Sequence, residues 1–271
     1  MSKDEGEMSM ATKKGPCHIC GKYTNLTFEH IPPRRALNSE PARVYSGVEV
    51  LQNKQKNSID DTVGLRYQNQ QQGVGRHTLC RRCNNNTGSH YASHYIDFAM
   101  SVAYLLKREN TNGAVGVHLE TKEMNCLAVF KQIISMFCST SAPGALGTEF
   151  REFLLEKENI EFDRERWGVH LYINMGGRSG SSGLLSLFFQ QSGVELEQQP
   201  SLFTLNVCEI ATYPLGMILL DRCSPYQPQI DQIGPDITGM SNLRYGEKPH
   251  TIMDLPYRNK PAFMPHNLMI K

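Results

Sequence analysis

The chain contains no apolar run near the roughly 18 residues needed to cross a bilayer as a helix, so no membrane partner is expected. Its opening Met1-Ser-Lys-Asp-Glu-Gly-Glu7 has no apolar segment, which excludes a secretory signal and leads to the expectation of a cytoplasmic protein. A large excess of one charge is also missing: the net charge is +1, which taken alone points to no polyanionic partner. There is one tryptophan, Trp167, and no internal repeat. The glycine-rich Gly176-Gly-Arg-Ser-Gly-Ser-Ser-Gly183 lacks the lysine and the spacing of a phosphate loop, so it is expected to be a flexible hairpin loop between strands.

What is present is unevenly distributed. Residues 11–110 carry 14 Lys and Arg against 7 Asp and Glu, whereas residues 111–271 carry 13 against 17. A basic first segment suits phosphate contacts. That segment also holds two close cysteine pairs, Cys17-x-x-Cys20 and Cys80-x-x-Cys83. In a reducing compartment such pairs bind metal rather than form disulfides. Each pair offers two sulfurs, and four thiolates close a tetrahedral shell, so the spacing predicts one structural zinc. A closed shell has no open position for water or substrate, and its role is mechanical. It clamps residues 17–20 to 80–83, bringing Glu29-His30 against Asn84. The other cysteines, Cys126, Cys138, Cys208 and Cys223, lie among apolar neighbours and are expected to be buried small hydrophobes.

Along the chain, residues 1–15 have no apolar periodicity and read as a tail. Leu26-Thr-Phe-Glu-His-Ile31 alternates and is β-prone until Pro32-Pro33 stops it. Residues 38–75 are polar and turn-rich, with brief strands expected only at Val44–Val50 and Val63–Tyr67, so Gln68–Gln72 belongs to an elaborated loop. Arg76–Cys80 is extended, and Tyr91, Tyr95, Phe98, Val102 and Leu105 then mark one face of a helix over 85–108. Asn110-Thr-Asn-Gly113 is the best domain boundary. Beyond it helices are expected near 123–138 and 146–158, the first with Leu127, Phe130, Ile134 and Phe137 on one face. Strands follow near 169–175, 184–190, 202–210 and 215–220, and from Ser224 the chain is expected to be irregular. The class is α+β.

Three motifs carry a resemblance: Cys17-x-x-Cys20, Glu29-His30-Ile-x-Pro33 and Leu79-Cys80-x-x-Cys83-Asn84. Together they resemble the zinc-knuckle form of the HNH, or ββα-metal, endonucleases, over about residues 17–90. The resemblance implies a zinc-stapled ββα nuclease domain over 16–110. Within it, Glu29 and Asn84 would hold one Mg2+ or Mn2+, oxygen-seeking ions that need few protein ligands. His30 would be the general base on a water attacking a phosphodiester, with DNA the expected substrate and RNA the alternative. Thr87 stands where the family has a basic residue, which leaves Arg34, Arg35, Arg81 and Arg82 as candidates for phosphate contact. Gly75 stands where the family has the asparagine that orients the base, so a backbone carbonyl or His77 is expected to fix the tautomer of His30. His90 and His94, one turn apart, do not occupy the family's position next to Cys83 and read as surface or phosphate-facing.

Residues 111–271, of unrecognised fold, are expected to form an α+β accessory domain for substrate positioning, homo-oligomerisation or regulation by a protein partner. Nuclease plus appended domain resembles prokaryotic restriction, mobile-element or antiphage effectors. The rival reading is a zinc-ribbon module that binds nucleic acid or protein and keeps Glu29-His30 as a vestige.

Overall fold

The structure, a computed structural model, describes residues 13–52, 62–108, 115–176, 178–190, 202–223, 234–259, 262 and 267–270. The elements of the first segment are β1 (Lys13–Pro16), β2 (Tyr23–His30), β3 (Ala42–Ser46), α1 (Gly47–Gln52), β4 (Tyr67–Gln70), β5 (Gly75–Cys80) and α2 (Arg81–Thr87). A π-wound turn at Gly88–Ala92 then leads into α3 (Ser93–Arg108). After these come β6 (Gly116–Thr121), α4 (Cys126–Thr140), α5 (Gly147–Leu155), β7 (Trp167–Asn174), β8 (Arg178–Gln190), β9 (Leu202–Thr212), β10 (Leu215–Asp221), a short 3-10 turn at Thr238–Asn242, β11 (Thr251–Arg258) and β12 (Asn267–Ile270). The mixed α+β class is as expected.

The strands form two sheets. A small antiparallel sheet has the order β1-β2-β5, and a nine-stranded sheet has the order β4-β3-β12-β8-β9-β10-β7-β11-β6. In the large sheet every pair is antiparallel except β7 with β11. Strands β7 and β10 are buried along their whole length. That explains the near-continuous apolar runs Leu171–Ile173 and Met217–Leu220: both faces are covered, so alternation with polar residues is not needed.

The central element is α4. The sequence stripe Leu127, Phe130, Ile134 and Phe137 predicts one apolar face, but all fifteen residues from Cys126 to Thr140 are buried. The helix packs on β8 and β9 and also on α2, α3, α5 and β5. A helix enclosed on every side has no solvent face to keep polar. Its N-terminus is capped by Asn125, whose side-chain oxygen accepts from the amide of Ala128 at 3.2 Å.

Several local expectations are corrected. Lys13, Lys14 and Gly15, assigned to the tail, form β1 on β2; residues 1–12 lie outside the described residues. Gln68–Gln70, expected in a loop, pair with Ala42–Val44 as part of β4, while the strand expected at Val63–Tyr67 begins only at Tyr67. In Val44–Val50 only the first residues are strand, and α1 starts at Gly47. The first long helix starts at Arg81 instead of 85.

The segment Arg178–Gly183, expected to be a loop, is the first half of β8. Its small residues let the strand pass close to the end of α4: a Cβ on Gly183 would lie 2.7 Å from the carbonyl oxygen of Thr140. The irregular C-terminal stretch contains β11 and β12, both paired in the large sheet. The turn cluster Asn110–Gly113 and the loop Asn53–Asn57 lie outside the described residues. Across the described residues one apolar cluster runs from Cys17 and Leu26 through Tyr95 and Phe130 to Leu255.

Candidate functional site

The four paired cysteines meet. Their sulfur atoms all lie within 4.8 Å of one another, and three of the four residues are buried. Cys20 Sγ and Cys80 Sγ are 3.8 Å apart. A zinc with Zn–S bonds of about 2.3 Å requires tetrahedral edges of about 3.8 Å, so the donor set and its spacing fit that ion. Among the described residues it is the only cluster of three or more His, Cys, Asp or Glu that could hold a metal. Local backbone supports it: the amide of Cys80 donates to Cys17 Sγ at 3.3 Å and the amide of Cys83 to Cys80 Sγ at 3.5 Å. The Cys83 thiol and backbone amides hold the Cys17 thiol low, while the Cys17 anion and burial push Cys83 up. Thiols this close cannot ionise independently, and a cation is what lets all four become thiolates. Of the remaining cysteines Cys126, Cys138 and Cys208 are buried as expected, but Cys223 is exposed.

Joining Cys17–Cys20 to Cys80–Cys83 lays α2 along β2. Asn84 donates its amide hydrogens to Thr27 Oγ1 at 2.9 Å and to the carbonyl of Phe28 at 3.4 Å. Its nitrogen is thereby committed to the strand, and Oδ1 is left as the atom for a ligand. A cleft of about 200 Å³ opens here, lined by Glu29, His30, Arg34, Asn84 and, from α4, Gln132. Thr87, Gly88 and Ala92, at the two ends of the π turn, line it as well. π turns widen a helix locally and often occur at functional sites.

His30 is oriented by backbone. Its Nε2 lies 2.9 Å from the carbonyl oxygen of Gln72, and because a carbonyl only accepts, Nε2 carries the hydrogen, which in the neutral ring leaves the lone pair on Nδ1. Of the two groups expected to replace the missing asparagine, the carbonyl is the one used. His77 instead packs edge-on against Phe28, with ring centroids 5.3 Å apart.

The polar stretch 38–75 supplies the rest of this support. Asn38 bonds the carbonyls of Pro32 and Val74, each at 2.7 Å, and accepts from the amide of Val74 at 2.7 Å. Gln70 accepts from the amide of Gly75 at 2.8 Å. These amides pin the turn that offers the Gln72 carbonyl. Gly75 is required for a related reason. A Cβ there would sit 2.2 Å from the carbonyl oxygen of Glu29 and 2.7 Å from the Phe28 ring, so no asparagine fits at this position.

Glu29 is buried. Ser139 donates to its Oε2 at 2.6 Å and Thr78 at 3.3 Å. Burial raises its carboxyl to about 7, against the lowering effect of the two hydroxyls. Both bonds fall on Oε2, so Oε1 is free of them. A carboxylate held at one oxygen, beside an asparagine held at its nitrogen, offers two oxygens of the kind that suits Mg2+ or Mn2+.

Sequence reasoning missed Ser139 and Gln132, since it found no chemistry beyond residue 111. The available signal was the polar series Gln132, Ser135 and Ser139, spaced three and four apart on a helix with an apolar stripe. Periodicity shows that they share a face but not what that face meets.

The arginines divide. Arg34 lines the cleft with His30, and Arg35 beside it is exposed. Arg81 and Arg82 line a different groove next to the cysteines, together with Lys22 and Tyr23. His90 and His94 are half-buried, and the His94 ring meets Tyr245 at 6.2 Å and Asn125 Nδ2 at 3.5 Å. Comparisons with family models, curated proteins and solved structures find no match to this chain. Among the described residues no helix is long and apolar enough to cross a membrane.

Proposed function

We infer that the chain is a divalent-metal-dependent endonuclease of the HNH type that hydrolyses phosphodiester bonds in DNA. The observation that carries this reading is the shared cleft: Glu29, His30, Asn84 and Arg34 line one space although 55 positions separate the first from the third in sequence. A divalent cation bound by Glu29 and Asn84 would supply Lewis-acid stabilisation of the charge that develops on the phosphate. His30 Nδ1 takes the proton of the attacking water, since Nε2 is held by the Gln72 carbonyl. Arg34 faces the phosphate as a fixed cation with donors in a fork. The zinc-bound cysteines take no part in the chemistry and hold β2 to α2.

Plasmid nicking with Mg2+ or Mn2+, comparing the parent with His30→Ala, tests the reading. The expected result is metal-dependent nicking by the parent, reduced at least about 100-fold in the variant. Equal activity in the two proteins refutes it.

A binding module remains the second reading because of the groove beside the cysteines. Lys22, Arg81 and Arg82 line it with Tyr23, which is 74% exposed and so offers a face on which a base can stack. Metal-independent DNA binding without cleavage, lost in Arg82→Ala, would favour that alternative.

A further inference from the structure

The polar series on α4 is unexplained by the fold. Gln132 is 3% exposed and its Oε1 is buried without a hydrogen-bond partner; Ser135 is 0% exposed and its Oγ is in the same condition. Leaving such groups unpaired costs about 1–3 kcal/mol each, and buried polar atoms without partners are rare enough to need a cause. Gln132 lines the cleft that Glu29, His30 and Asn84 line. Seven residues further along α4, on the same face, Ser139 already bonds Glu29 Oε2 at 2.6 Å. One helix therefore touches the site at two points, by a filled bond at Ser139 and by the side chain of Gln132, whose carboxamide oxygen lacks a donor.

We propose that Gln132 is a positioning residue of the cation site, its amide oxygen accepting a hydrogen bond from the hydration shell of the Mg2+ or Mn2+ that Glu29 and Asn84 hold. This rests on the metal-dependent reading above. Magnesium and manganese keep several waters when bound by few protein ligands, and each such water is a strong donor. The last torsion of a glutamine side chain is soft, so a turn of the carboxamide brings Oε1, shut off from solvent where it lies, to face such a water in the cleft that Gln132 lines. The second segment of the chain would thus complete the site: Ser139 fixes the carboxylate, and Gln132 fixes the ion's water and with it the position of the hydrated ion.

The test is Mn2+ binding followed by electron paramagnetic resonance on the full-length, zinc-loaded protein, with denaturant unfolding measured in the absence of Mn2+. Gln132→Met is expected to weaken Mn2+ binding about 10- to 100-fold, as loss of outer-shell partners does elsewhere. Its zinc content should be unchanged and its unfolding midpoint equal to or above the parent's, because an unpartnered amide has been removed. Gln132→Glu, which keeps the acceptor, should bind Mn2+ at least as tightly as the parent.

Parent-like affinity in Gln132→Met, with binding abolished in Glu29→Gln, overturns this proposal alone and leaves the cation site standing. Parent-like affinity in both variants removes the cation site itself, and the proposal with it. A clearly lowered unfolding midpoint in Gln132→Met also overturns the proposal, since it would show that the amide has a structural partner to lose.

Discussion

Glu29→Gln should stabilise the protein while abolishing its function. The carboxyl is buried and titrates at about 7 in the folded chain, against an ordinary 4.5, because burial disfavours the charged form more than Ser139 and Thr78 favour it. A folded pKa above the unfolded one means that the native state binds the extra proton between these values. Its contribution to stability is fully present below 4.5 and is lost as pH rises through 7. At pH 8 the folded carboxylate therefore carries the full cost of ionisation in place, about 3 kcal/mol at roughly 1.4 kcal/mol per pK unit. At pH 5.5 the same arithmetic leaves about 1.5 kcal/mol.

Glutamine is neutral and keeps an acceptor for Ser139, so the variant escapes that cost. Urea unfolding of zinc-loaded parent and variant, without Mg2+ or Mn2+, should show the variant more stable by about 3 kcal/mol at pH 8 and by about half of that at pH 5.5. Added Mn2+ should stabilise only the parent. A variant less stable than the parent at pH 8, or a difference that does not change with pH, refutes the reasoning. Either result would mean that Glu29 is a well-compensated structural acid.

Other perturbations test separate supports. Cys80→Ser should reduce bound zinc from one per chain to none and remove cooperative unfolding, since Cys17, Cys80 and Cys83 belong to the continuous core cluster; metal analysis with circular dichroism reads both. Ser139→Ala deletes the 2.6 Å bond to Glu29 Oε2 and should cost about 1.5–3 kcal/mol at pH 8, less at pH 5.5 where the acceptor is mostly uncharged; urea midpoints at the two pH values decide. Gly75→Ala places a Cβ 2.2 Å from the Glu29 carbonyl and should cost about 1–3 kcal/mol by overpacking, seen as a lowered Tm. In nicking assays Arg34→Ala should lower kcat, whereas Arg82→Ala, in the groove beside the cysteines, should weaken DNA binding and its salt dependence.

What could be read from sequence divides along physical lines. The cysteine spacing encodes its own geometry, because each Cys-x-x-Cys pair presents two sulfurs to one point, and the four sulfurs do converge. Strands β2, β5, β7, β9 and β10 follow local pattern and lie close to where it puts them. Position 75 was harder. The absence of asparagine was visible, but the steric reason for glycine lies in the Phe28 ring and the Glu29 carbonyl across the sheet. The polar stretch 38–75 misled for a similar reason: the amides of Asn38 and Gln70 satisfy backbone groups of neighbouring turns, and composition cannot distinguish that from solvation. Strands β6, β11 and β12 depend on pairing partners far along the chain, which local pattern does not contain.

The placement of α4 bears most on how the chain works. The cysteine cluster alone would join β2 to α2 and bring Glu29, His30 and Asn84 to one cleft from one short segment. Here the buried acid of that cleft receives its shortest hydrogen bond from Ser139, 110 positions away in sequence. Ser139 lies on a helix packed against both the nine-stranded sheet and α2. Moving α4 relative to the small sheet would break that bond, raise the cost of ionising Glu29 further and unseat any cation it holds. Residues beyond 111 therefore have a direct mechanical route to the site, running through one helix.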